Sequence, residues 1–303
     1  MRNLRPVMIF AAAFAILLAT ENGLALECRE LVSTMKPYVS TEYSRGVLWR
    51  IESLKGRVNY VFGTIHLADA RVTELPKVTT DALLSSQRFV MEVVLDFDAI
   101  GAMSEAMVFR GNEDLKDTLD PALYTRTVQL LGRHGVSASA VRHLKPWAAY
   151  TTLSVPSSQT GMPLDLVLAN MAASNSIEIF GLESIEEQIA LFDTMTIVQQ
   201  VELLTQVVCH YDDVQAEIEQ IVEHYVDQDI DAMMRLSERH SSVLNDRLMD
   251  AVLWQRNRLM VERMQSHLLG GRSFIAVGAL HLPGRGGVLD LLAKRGYIVT
   301  PVH

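Results

Sequence analysis

Residues 58–66 read Val58-Asn59-Tyr60-Val61-Phe62-Gly63-Thr64-Ile65-His66, and residues 274–281 read Phe274-Ile275-Ala276-Val277-Gly278-Ala279-Leu280-His281. Each begins as a short apolar run of the kind that forms a buried strand. Each then runs into Gly-x-x-His. Glycine lets a backbone bend or approach another backbone closely. Two such endings would deliver His66 and His281 to one edge of one sheet. Either motif alone carries no signal, and ordinary turn histidines would read the same. Their recurrence in matching contexts singles the pair out.

Outward from these motifs, residues 46–52 and 57–65 read as strands joined by a turn at Lys55-Gly56. A helix is expected from Pro76 to about Gln87, then a buried strand over residues 89–95. Asp120-Pro121 is an N-cap followed by proline at the first helical position, and Gly135 closes that segment. Residues 177–180 read as a strand. Ser184 and Glu187 have the spacing of a capping box ahead of a helix over residues 185–195. Residues 197–269 read as mostly helical, with breaks near Asp212, Asp227 and Ser241. Strands return at 273–277 and 297–302, with a helix over 287–294 between them. The expected fold is a mixed α/β single domain: a central sheet built from N- and C-terminal strands, carrying a large helical insertion.

Several polar residues lie where the fold alone does not call for them. Glu92 stands among Phe89, Val90, Met91, Val93, Val94 and Leu95. A carboxylate in such a strand must be paired, metal-bound or protonated, unless it is a structural salt bridge or reaches water at the strand end. Met249, Leu253, Met260, Met264 and Leu268 mark an apolar helical stripe. Arg256 falls inside that stripe and Asn257 on its margin. A stripe arginine either snorkels or meets a carboxylate, a carbonyl or an anionic substrate group. Asp165 and Glu183 are weaker candidates, since helix-start electrostatics and capping account for them too. His134, His143, His210, His224, His240, His267 and His303 read as solvated. No phosphate loop, dinucleotide fingerprint or Gly-x-Ser-x-Gly elbow is present.

The opening of the chain has the form of a secretory signal peptide. Arg2 and Arg5 precede an apolar run at residues 7–19, too short to span a bilayer comfortably, and Gly23-Leu24-Ala25 suits cleavage after Ala25. Residues 1–25 are therefore expected to be a leader and residues 26–303 the mature domain, periplasmic or secreted; an uncleaved anchor is the other reading. Cys28 follows Leu26-Glu27, whereas a lipoprotein would place a small residue before the cysteine. The formal net charge is −9, and no basic patch stands out, which argues against nucleic acid as a partner. No later segment reads as a membrane span, so no stable insertion is expected after cleavage. Oligomeric state is not legible. Cys28 and Cys209 either form one disulfide, tying the N-terminus to the helical middle, or stay as two thiols. There is no Cys-x-x-Cys for a thiolate metal site.

Taken in order, Gly63-Thr64-Ile65-His66-Leu67, the Glu92 strand, Gly181-Leu182-Glu183 followed by Glu187-Gln188, Arg256-Asn257, and Val277-Gly278-Ala279-Leu280-His281-Leu282-Pro283-Gly284 resemble the TraB/GumN family (TraB/PrgY/GumN/Tiki-like) over most of the chain. Two positions depart from it. Val94 stands where an acid is often found, and Leu280 stands where glycine often precedes the histidine. The resemblance implies a metal-dependent hydrolase, with His66, Glu92 and His281 as the residues associated with activity. In that reading His66, His281 and Glu92 hold a divalent ion (zinc, manganese, cobalt or iron) with positions left for water and a peptide or other small substrate. Glu183 would be the general base, and Arg256, with Asn257 beside it, would serve the reacting group. The alternatives are a peptide-binding or sequestering protein without turnover, in the manner of pheromone shutdown, and a metal-free esterase using a Glu/His pair.

Overall fold

The first hairpin follows from its turn. Gly56 adopts φ +72° and its N–H returns to the Ser53 carbonyl at 2.8 Å. Strand β1 (Leu48–Glu52) therefore doubles back onto β2 (Val58–Thr64) as an antiparallel pair, Leu48 opposite Phe62. The computed structural model describes residues 28, 38–157, 161–238 and 243–303. The expected leader and the expected break near Ser241 lie outside the described residues, as does His240.

β3 (Arg88–Met91), β4 (Glu178–Gly181), β5 (Ser273–Gly278) and β6 (Ile298–Pro301) complete a six-stranded sheet of order β4-β3-β5-β2-β1-β6. β4, β3, β5 and β2 run parallel, whereas β1 is antiparallel to both neighbours. Thr64 pairs with Gly278, and Met91 faces Ala276 on one side and Gly181 on the other. The carboxyl ends of four strands thus lie along one edge, where open α/β sheets bind ligands. β5, at the centre, is almost wholly buried, as the continuous apolar run required. Phe274 meets Phe62 and Phe89 at ring-centroid distances of 5.8 and 6.2 Å. Met260, Val261, Met264 and Leu268 of helix Arg256–Gly270 are part of the same core.

The fold is mixed α/β, one domain, with helices supplying most of the chain between β3 and β5. That insertion has a core of its own, in which Leu123, Leu130 and Leu131 of helix Pro121–Arg133 pack with Leu204, Val207 and Val208 of helix Ile197–Cys209. Cys28 and Cys209 are joined by a disulfide, which resolves the alternatives left by the sequence.

Three expectations need correction. The strand expected over residues 89–95 ends at Met91; Val94 and Leu95 are 37% and 41% exposed. Apolar content read as burial, but Asp96 caps the helix Phe97–Ala106 by accepting from the Ala99 N–H at 2.8 Å, and the chain turns outward to reach it. The helical stripe also changes phase. A π-helical turn, Asp250–Gln255, precedes helix Arg256–Gly270, so Leu248 rather than Met249 lies buried ahead of Leu253. One added residue per turn advances the buried face by five positions instead of four. Not every remaining histidine is solvated: His134 bonds the Tyr211 hydroxyl at 2.8 Å, and His267 lies 5.0 Å from the Phe180 ring.

Candidate active site

The two Gly-x-x-His segments meet backbone to backbone. A Cβ on Gly63 would stand 3.0 Å from Ala279 Cα and 2.7 Å from Leu282 Cδ1, so only glycine fits. The Gly63 carbonyl accepts from the Tyr225 hydroxyl at 2.8 Å. At Gly278 the close neighbour is a carboxylate. The Gly278 N–H donates to Glu92 Oε1 at 2.7 Å, and a Cβ there would come within 3.4 Å of both Glu92 Oε1 and His281 Cδ2.

Glu92 follows the last residue of β3 and Glu183 lies two past the end of β4; both are 8% exposed. Parallel register continues beyond the strands, with Leu182 N–H bonded to the Met91 carbonyl and Glu183 N–H to the Glu92 carbonyl, at 2.8 and 2.7 Å. Two carboxylates are thereby set side by side. Arg256, first residue of its helix, reaches both. Nε donates to Glu183 Oε1 at 2.9 Å, and Nη2 donates to Glu183 Oε2 at 2.6 Å and Glu92 Oε2 at 2.5 Å. Its Nη1 returns to the Val252 carbonyl at 3.0 Å. The Gln188 amide adds longer bonds to the same carboxylates, 3.3 Å to Glu183 and 3.5 Å to Glu92. Burial would raise the Glu92 carboxyl, but His281, Arg256, His66 and the Gly278 N–H together hold it down to about 2. Both acids thus share one guanidinium.

His281 is 4% exposed, and its Nδ1 lies 2.6 Å from Asn257 Oδ1. The Asn257 amide donates through Nδ2 to the Gly286 carbonyl at 3.1 Å, so its oxygen faces the ring and His281 Nδ1 carries the hydrogen. Nε2 is left as the lone pair, 3.5 Å from Glu92 Oε1 and 3.4 Å from Arg256 Nη1. Burial lowers this imidazole to about 4, so it is neutral near pH 7. His66 has the same design with a different partner. Its Nδ1 meets Asp165 Oδ2 at 2.7 Å, and the other Asp165 oxygen accepts from the Thr64 hydroxyl at 2.6 Å. The His66 side chain is 67% exposed. Crowding by the protein works to lower it, but the hydrogen bond and charge of Asp165 outweigh that and raise it to about 9. Among the described residues no hydrogen bond joins His66 to the Arg256 cluster, yet its charge acts on Glu92 from the end of β2, across the intervening β5.

Glu92, Glu183, Arg256, Asn257 and His281 therefore form one hydrogen-bonded cluster, with His66 beside it. Asp165, a weaker candidate by sequence, is the partner of His66, and Gln188, which no sequence signal singles out, reaches both carboxylates. Asp165 had a usable signal, an acid in the first turn of helix Leu164–Ser174 after Pro163, but helix electrostatics explained it equally well. Asn257, on the margin of the stripe by sequence, is fully buried.

Among the described residues, no group of three or more histidine, cysteine, aspartate or glutamate side chains is set to hold a metal ion. The donor chemistry nevertheless suits one. Both imidazoles have Nδ1 tied to an oxygen, as protein partners orient ligating histidines; Nε2 of neutral His281 is already a lone pair, whereas that of His66, raised to about 9, becomes one only when an ion displaces its proton. The Glu92 carboxylate lies alongside His281, 3.5 Å from its Nε2.

A mixed sheet with acids, an arginine and imidazoles gathered at its strand ends defines a class in which the site is assembled by parallel register. A sequence model of the TraB/PrgY/gumN family matches residues 47–301, and the chain belongs to that family. It is 24% identical to "Metalloprotease TIKI1" of Danio rerio, in an alignment covering 83% of this chain and 62% of that protein. It is 23% identical to "Metalloprotease TIKI2" of Danio rerio, covering 91% of this chain and 65% of that protein. The chain thus spans less than two thirds of the length of these relatives. No solved structure gives a significant match.

Proposed function

We propose that the protein is an exported, metal-dependent hydrolase that cleaves peptide bonds at the edge formed by β2, β5 and β3. One observation carries the proposal: both family histidines have Nδ1 fixed by an oxygen, Asp165 for His66 and Asn257 for His281, with Glu92 beside His281. The distant relatives named metalloproteases support the same class. His66, His281 and Glu92 would hold the ion. When bound, a divalent ion supplies a water ionised near neutral pH and a Lewis acid for a carbonyl. Zinc, manganese, cobalt and iron(II) all suit nitrogen and oxygen donors.

The chain's own residues do the rest. Asn257 keeps the hydrogen of neutral His281 on Nδ1. Arg256 offers positive charge to an oxyanion formed beside Glu92. Glu183 is the candidate general base, positioned by Arg256, which meets both its oxygens. Export is supported by the Cys28–Cys209 disulfide, a bond that persists in oxidising compartments. Among the described residues no helix is long and apolar enough to cross a membrane.

The test measures metal content and peptide hydrolysis on the same preparations, purified without chelator or histidine tag. His66→Ala and His281→Ala should each lose both. Glu183→Gln should keep the ion and slow turnover on the order of a hundredfold. Wild-type protein that binds no divalent ion rejects the metal mechanism. An ion bound without cleavage of any peptide favours a sequestering protein.

A further inference from the structure

The walls that carry His66 and Asp165 also bound a cavity. The segment leaving His66, through Leu67 and Asp69, and the segment around Asp165, through Met162 and Val167, both line a space of about 600 Å3. Ile218, Glu219 and Val222 of helix Tyr211–Val226 form its third side. Its depth is apolar: Leu67 and Val222 are 6% and 2% exposed, with Val167 and Ile218 beside them. Its rim is acidic. Asp69 and Glu219 are bridged by one cation, Arg71, at 2.6 Å to each. Two carboxylates against one guanidinium leave a net negative charge at the mouth.

An apolar shaft under an acidic rim matches a side chain with an aliphatic stem and a cationic tip. A purely apolar side chain would fill the shaft but leave the rim's charge unanswered, and an acidic one would be repelled. We infer that this cavity is the subsite for a lysine or arginine side chain of a peptide substrate. The inference rests on reading the neighbouring site as one that takes peptides, and it fixes the residue that flanks the bond placed beside His66.

Binding separates this inference from the hydrolase reading. The probes are Nα-acetyl-lysine methylamide and its uncharged counterpart Nα-acetyl-norleucine methylamide, followed by saturation-transfer NMR on the full chain. The lysine probe should bind about tenfold more tightly than the norleucine probe to the wild type, as expected for one added charge-assisted contact. Glu219→Lys should abolish that preference, and the milder Glu219→Gln should reduce it, each with an unchanged circular dichroism spectrum. His66→Ala, outside the cavity, should keep it. Equal binding of the two probes, or a preference that survives Glu219→Lys, overturns the inference even if peptides are cleaved. A lysine preference lost in Glu219→Lys in a protein that cleaves nothing supports the subsite and counts against the hydrolase.

Discussion

Without Arg256, Glu92 and Glu183 would face each other where water is largely excluded. Their side chains are 10% and 3% exposed, and among the described residues the guanidinium is the one cation bonded to both. Breaking a buried pair by removing one partner costs about 3–5 kcal/mol. Arg256→Ala should lower the free energy of unfolding by about that amount in urea titration. Arg256→Lys should recover only part of it, because a single ammonium cannot span two carboxylates as the fork does. Gly63→Ala tests the packing beneath the site. Its new methyl would meet the Ala279 backbone at 3.0 Å, so the expected cost is about 1–3 kcal/mol, with loss of any His281-dependent ion binding. At this scale much was legible. A carboxylate in an apolar run and an arginine in an apolar stripe are anomalies that burial must resolve, and both resolve in one cluster. Asp165 was not legible as a partner of His66, because their contact joins residues 99 positions apart and depends on how a helix seats against β2.

Helix Ile185–Asp193 shows how local signals hold while their purpose stays hidden. The capping box is present in both directions: Ser184 accepts from the Glu187 N–H, and Glu187 accepts from the Ser184 N–H at 2.9 Å. Its work is to fix the turn between Glu183 and Gln188, both of which enter the site. Ser184→Ala should cost about 1 kcal/mol, with a larger proportional loss of activity than of stability, since Glu183 is the adjacent residue. Glu187 is further held by Arg263 at 2.6 Å. The Arg263 hydrogen bond and the Ser184 N–H lower its carboxyl from 4.5 to about 2. A depressed folded value means that the contribution is complete above the unfolded value and disappears as pH falls through the folded one. Stability of the wild type should therefore lose a component between pH 4.5 and about 2 that Glu187→Gln lacks; parallel pH titrations of the urea midpoint would expose a wrong assignment as identical slopes. The π-helical turn before Arg256 had no such signature. The heptad-like pattern downstream of it was sound, but one inserted position moved the upstream face from Met249 to Leu248.

Across the whole molecule, the disulfide links an N-terminal residue to the helical insertion over a separation of 181 residues. Closing so long a loop restricts the unfolded chain strongly, and reduction should lower stability by about 3–5 kcal/mol. The check is a denaturant titration with and without reductant, with Cys209→Ser as a control that should no longer respond. Residue types could nominate this pair but not join it, since two thiols far apart in sequence say nothing about their distance in space. The mixed α/β class was legible from alternating strand and helix patterns. The independent core of the insertion was not, because its leucines carry the same periodicity whether they pack on the sheet or on one another.

The strand order has a consequence for how the protein is made. β5 lies between β2 and β3, yet it is separated from β3 by most of the chain. A polypeptide emerging amino end first presents the inner edges of β2 and β3 with no neighbour until residues 273–278 are available. Unpaired edges are templates for pairing between molecules. Nascent or prematurely terminated chains should therefore aggregate rather than yield partly working fragments, and a holding chaperone would act on β2 and β3 before β5 is translated. The strand that brings His281 to the site is also the one that seals the sheet against its neighbours.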